Sequence, residues 1–144
     1  MRFDRVYELL QDIDDMPLRW RIDLREKLFV AVADGRVEFQ HVERMLDALV
    51  SSGAIGHRKL FDGLRGETRM TSSELLTLGV RMRAMHAVAA RLGPVAVVVP
   101  HDKRLRLMRL LGILAAANRP LRIFNDLETA HRWLSLSAEV AEPA

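Results

Sequence analysis

In the stretch GPVAVVVPHDKRLRLMRLLG, Gly93–Gly112, five apolar residues stand between a Gly-Pro pair and a proline, and a basic segment follows. Val95 to Val99 show no polar alternation, which is the pattern of a strand covered by helices on both faces. After Pro100, Asp102 stands where it can cap a helix, and Leu105, Met108, Leu111 and Ala115 recur at helical intervals up to Arg119-Pro120. A buried strand feeding directly into a helix is the building unit of a parallel α/β sheet.

The neighbouring segments read the same way. Downstream, LRIF is a strand, Asn125 together with Glu128 reads as a helix cap, and Leu127, Ala130 and Leu134 line the closing helix. Upstream, Thr71 and Glu74 form a capping box, and Leu75, Leu78, Met82, Met85 and Ala89 follow on one face. Methionines at that spacing are core filler rather than a ligand set. KLF (Lys59 to Phe61) reads as a short strand leading through Asp62 and Gly63 into a loop, GLRGETRM. Phe39, Val42, Leu46 and Leu49 define a helix that stops at Gly53.

Nearer the start the period changes. Trp20, Ile22 and Leu24 alternate with Arg19, Arg21, Asp23 and Arg25, and a more apolar run, LFVAVADGRV, follows with Asp34-Gly35 as a turn signal. Two runs so close predict an antiparallel hairpin near Arg25 to Lys27. Before Pro17, Val6, Leu9, Leu10 and Ile13 mark a helix capped by Asp4. That helix, Asp4 to Met16, is expected to cover a face or edge of the sheet or to build a homodimer. The fold class is α/β: a mainly parallel five-stranded sheet with an antiparallel edge hairpin, helices on the faces, and an extra N-terminal helix. Residues 1–17 carry that helix, 18–136 the α/β domain, and 137–144 a disordered tail.

Composition narrows the function. The chain has 144 residues and no cysteine, so it has no disulfide, thiolate nucleophile or zinc-cysteine cluster. Its acidic N-terminus does not resemble a signal peptide, and no apolar run approaches the ~20 residues of a membrane span, so a cytoplasmic protein is expected. The pI is 9.9, yet the formal net charge is only +3, and the basic residues, nearly all arginine, alternate with 19 acids. A scattered set of this kind is a solvated surface rather than a phosphate track, which argues against nucleic acid as a partner.

No catalytic or metal constellation stands out. PHDKRLR lacks the glycines of a phosphate cradle, although Lys103 and Arg104 lie at a helix start where the dipole disfavours cations. His41, His57, His86, His101 and His131 lack ligand spacing, so neither a metal nor another cofactor is expected. Asp62 after a strand suggests a phosphoacceptor, but Ala33-Asp34-Gly35 supplies one acid where receiver chemistry needs a pair. Three hydroxyls, Thr71, Ser72 and Ser73, gather at one helix start. Capping explains them, and the same place suits a phosphoserine held by helix amides and by Arg65 or Arg69.

The order of elements, together with LFDGLRGETRMTSSELL, VAVVVP and LRIFNDLETAHRWL, resembles the STAS-like domains of sulfate transporters and anti-sigma factor antagonists, in particular their small bacterial stand-alone members. The resemblance covers roughly Leu18 to Leu136. It implies a non-enzymatic regulatory module that binds another protein, such as a regulatory kinase or an anti-sigma-like factor. In the antagonists a strand-end aspartate precedes Asp-Ser-Ser or Asp-Ser-Thr and a glycine, and one hydroxyl is phosphorylated. Asp62 matches the strand-end aspartate and Ser72 and Ser73 the hydroxyls, whereas Thr71 replaces the motif aspartate and Glu74 the glycine. The bulk and charge of Glu74 weigh against the phosphorylation switch. The alternative function on this fold is a small-ligand or lipid binder with an apolar gap between helices and sheet.

Overall fold

The computed structural model describes residues 16–88, 93–103 and 121–141. Its first reversal is built by Asp23, whose Oδ1 accepts the amide protons of Arg25 and Glu26, both at 3.0 Å. In this Asx-type turn the side chain satisfies two backbone amides, and Lys27 closes it with a left-handed φ of 50°. Strand β1 (Leu18–Asp23) therefore pairs antiparallel with β2 (Leu28–Arg36), as the alternation predicts. Leu24 does not continue β1: it lies in the turn and is 70% exposed.

From β2 onward each strand is parallel to the one before. The sheet order is β1-β2-β3-β4-β5, with β3 (Arg58–Glu67), β4 (Val95–Val98) and β5 (Leu121–Phe124). Helix α1 (Phe39–Ser51) joins β2 to β3, and α2 (Ser72–Val88) lies between β3 and β4. Strands added in one direction by right-handed crossovers place these helices on one face. Accordingly Met45, Leu46 and Leu49 of α1 and Leu78 and Met85 of α2 share a buried cluster with Phe29 and Ala31 of β2. The opposite face carries α3 (Leu127–Ala141), whose Ala130 and Leu134 pack with Leu28, Val30, Leu60, Ala96, Val98 and Phe124.

The mainly parallel five-stranded sheet, its antiparallel hairpin and the helices on both faces agree with the sequence reading. Four local expectations are corrected. Asp34-Gly35 is not a turn but part of β2, which runs on to Arg36. The segment from Gly63 to Glu67 is strand rather than loop. Asp126, not Asn125, caps α3: its Oδ1 accepts the Thr129 amide and hydroxyl protons, both at 2.8 Å. Helix α3 continues to Ala141, through most of the segment read as a tail. The N-terminal helix and most of the helix after Pro100 lie outside the described residues, apart from a helical start at His101 to Lys103.

At the other end of the sheet, Lys59 is 1% exposed and donates from Nζ to the carbonyls of Ile55 and His57. The loop that supplies them begins at Gly53, where φ is +72° and the chain leaves α1. Gly93 closes over the same loop with φ +64°, and a Cβ there would collide with the His57 carbonyl. No sequence signal marked this buried lysine, because its alternation in β3 is that of any half-exposed strand.

Candidate functional site

The candidate site grows out of a break in the sheet at Asp62. Val32 pairs with Asp62, but Asp34 pairs with Arg65, so β3 gains one residue between them. A bulge of this kind frees an amide from the ladder. Asp62 satisfies it: its Oδ1 accepts the Leu64 N–H at 3.1 Å. Pairing of β3 with β4 stops at Asp62 and Val98, so the rest of β3 continues with β2 alone. The family motif requires an aspartate at a strand end, whereas Asp62 lies inside a ten-residue strand and is 8% exposed. Asp62 therefore does not stand at the strand end that the resemblance assigned to it, and its carboxylate is engaged by the bulge.

The extension of β2 and β3 then delivers the chain to α2. Arg65 faces Asp34 across it with a 3.9 Å ion pair, and at 81% exposure for Arg65 that pair adds little stability. Glu67 O accepts the Val37 N–H at 2.8 Å, the Thr68 hydroxyl donates to Val37 O at 2.9 Å, and Met70 N–H donates back to Thr68 Oγ1 at 3.2 Å. These bonds fix where Thr71 begins the helix. Lys103 reaches the same extension, donating from Nζ to Gly66 O at 3.3 Å, which gives its charge a partner at the helix start after β4.

At Thr71 the capping box forms as its sequence predicts. Glu74 N–H donates to Thr71 Oγ1 at 3.1 Å, and Thr71 N–H donates to Glu74 Oε1 at 3.0 Å. The Thr71 hydroxyl also donates to Glu74 Oε1 at 3.2 Å. Thr71 and Glu74 therefore satisfy each other, while Ser72 and Ser73 lie exposed on the first turn beside them. Of the five candidate residues, Thr71, Ser72 and Ser73 lie together at the helix start, Arg65 stands on the extension, and Asp62 is sunk in the sheet.

Continuing along α2, Leu76 is 54% and Val80 66% exposed, one turn apart, and Ala84 one turn further on is exposed as well. A surface helix ordinarily turns charge to water on that side. Arg81 cannot supply it there, because its guanidinium is bound to the Asp47 carboxylate and donates to Glu43 O at 3.2 Å, both on α1. Helical periodicity makes the inward row of Leu78, Met82 and Met85 the prominent one. The leftover Leu76 and Val80 were the available signal for this outer stripe.

A solved structure with the same arrangement is an anti-sigma factor antagonist from Mycobacterium paratuberculosis, with a TM-score of 0.52, 12% identity, and 82% of this chain and 94% of that chain covered. The fold is that of an anti-sigma factor antagonist. The STAS-like architecture expected from the order of elements is therefore present in the five strands, and α1, α2 and α3 are the helices of that architecture described here. No family model and no curated protein matches the chain. Within the antagonist fold, the start of α2 is where the sequence resemblance placed the hydroxyl pair. Among the described residues, no helix is long and apolar enough to cross a membrane.

Proposed function

We propose that the chain is a non-enzymatic regulatory module that binds another protein through the surface running from Arg65 to Glu74, with Ser72 and Ser73 at its centre and Asp62 supporting it from within the sheet. The observation that carries this reading is the division of labour at the start of α2. Thr71 and Glu74 close the cap between themselves, so capping leaves the two serine hydroxyls unexplained. Both are exposed, and they adjoin the uncovered Leu76 and Val80, a mixed polar and apolar surface of the type that contacts partners. Of the polar groups in this stretch, Asp62 is engaged by the Leu64 amide and Glu74 by Thr71, while Arg65 stays 81% exposed. The solved antagonist with this fold supports a protein partner, of the class of a regulatory kinase or an anti-sigma-like factor.

Charge at Ser72 or Ser73 would sit at a helix N-terminus, where the macrodipole favours it, so it would alter the contact without melting the helix. Glu74 places a carboxylate nearby, and any switch at these serines works beside that charge. A photo-cross-linking residue at Ser73, expressed in the source cell, tests the contact. A discrete protein adduct at that position, absent when the probe replaces exposed Leu136, is the expected result. Identical adducts at both positions, or none at Ser73, would contradict the reading.

A further inference from the structure

We infer that Asp62 and Gly66 lock the register of the β3 extension and so act as positioning residues for the surface that carries Ser72 and Ser73. Side chains alternate along a strand, so a slip of one residue turns every later side chain to the opposite face. Val32 pairs with Asp62 and Asp34 with Arg65, so two steps along β2 match three along β3. Without that extra residue Asp34 would face Leu64, and Arg65 would take the place that Gly66 holds opposite Gly35. That place admits no side chain, since a Cβ on Gly66 would stand 2.6 Å from the Cβ of Ala33. Gly66 therefore disfavours the slipped register. Asp62 favours the bulged one, because its Oδ1 accepts the Leu64 N–H at 3.1 Å in the break itself. At 8% exposure the carboxylate acts through the strand rather than by contact with a partner.

The extension needs such a lock. Among the described residues β4 pairs with β3 only from Lys59 to Asp62, so beyond that point β3 is held by β2 alone. Three contacts downstream depend on the register: Arg65 lies 3.9 Å from the Asp34 carboxylate, Lys103 donates to Gly66 O at 3.3 Å, and Glu67 O accepts the Val37 N–H at 2.8 Å. A slip would move each of these groups by ~3.3 Å along the strand and turn the exposed Arg65 side chain toward Ala33. It would also shift the start of α2, because the Thr68 hydroxyl donates to Val37 O and accepts the Met70 N–H beside that last bond. The functional half of the inference rests on the contact proposed for Arg65 to Glu74, and the register half stands without it.

The chain has no cysteine, so introduced pairs report the register directly. Neighbouring strands ~4.8 Å apart bring paired residues within disulfide reach. Asp34→Cys with Arg65→Cys reports the bulged register, and Asp34→Cys with Leu64→Cys the slipped one. Under mild oxidation the first pair is expected to close several-fold faster. Asp62→Ala should abolish that preference, whereas Asp62→Asn, which keeps an Oδ1 acceptor, should retain it. The photo-cross-linking residue at Ser73 should give a several-fold weaker adduct in Asp62→Ala and a normal one in Asp62→Asn. Where Asp62→Ala does not fold, Gly66→Ala is the second variant: crowded against Ala33, it should lower the same preference. The inference is overturned if Asp62→Ala or a folded Gly66→Ala keeps the wild-type preference, if Asp62→Asn loses it as fully as Asp62→Ala, or if the adduct is unchanged once the preference is lost. No Ser73 adduct in the wild type strikes the proposed contact instead, and the cysteine pairs still decide the register.

Discussion

Thr71 and Glu74 each accept the other's backbone proton, at 3.1 and 3.0 Å, and so close the first turn of α2 without help from the two serines between them. Removing the threonine hydroxyl therefore orphans the Glu74 amide. Thr71→Ala is expected to cost about 0.5 to 2 kcal/mol, the usual range for a lost N-cap. Ser72→Ala and Ser73→Ala are expected to stay within about 0.5 kcal/mol of wild type, as surface changes do. Urea unfolding of the three variants checks both statements.

His57 sets an expected pH dependence. Burial disfavours its charged form, and the Lys59 and Lys27 ammonium groups disfavour it further against a smaller opposing pull from Asp23, so its pKa is lowered. Its Nδ1 is buried without a hydrogen-bond partner. A depressed histidine binds its proton more readily when unfolded, so its contribution is present above the ordinary value of about 6.5 and is lost as pH falls through the folded pKa. Asp126 is also lowered, chiefly by the Thr129 amide and then by its hydroxyl, and its contribution is lost only in the acid range below the usual carboxylate value. Melting temperature against pH should thus begin to fall just below neutrality in the wild type. His57→Gln should remove that first fall and keep the acid one.

Val98 is fully buried between β3 and β5, whereas Val97 on the other face of β4 is half-buried. Val98→Asp would place an unpaired charge in the core, at several kcal/mol against a total stability of only about 5 to 15 kcal/mol. It is expected to be insoluble or to lose cooperative unfolding, and Val97→Asp to be milder. A soluble, cooperatively melting Val98→Asp protein would contradict the sheet assignment.

The places where sequence reading succeeded and failed have physical causes. The hairpin, the inward rows of α1 and α2, and the capping box were legible because period, cap and turn chemistry all pointed the same way. The length of β3 was not, because Gly63 and Gly66 in GLRGE look like loop punctuation. What keeps that segment extended is non-local: a bulge at Asp62 and pairing with Asp34 to Arg36 of β2. The cap of α3 shifted by one residue because Asn125 and Asp126 are both good caps and only the Thr129 hydroxyl distinguishes them. At the candidate site the hydroxyl cluster was visible from sequence, but its division into cap and surplus required geometry.

The central claim is that Ser72 and Ser73 face a protein partner, and quantitative affinity capture from the source cell tests it most directly. Wild type, Ser72→Asp and Ser73→Asp should show the same melting temperature, because a helix N-terminus tolerates added negative charge. At least one of the two variants should change the amount of a specific captured protein. Identical capture by all three folded proteins would contradict the account and leave the serines as surface residues of an antagonist-like scaffold.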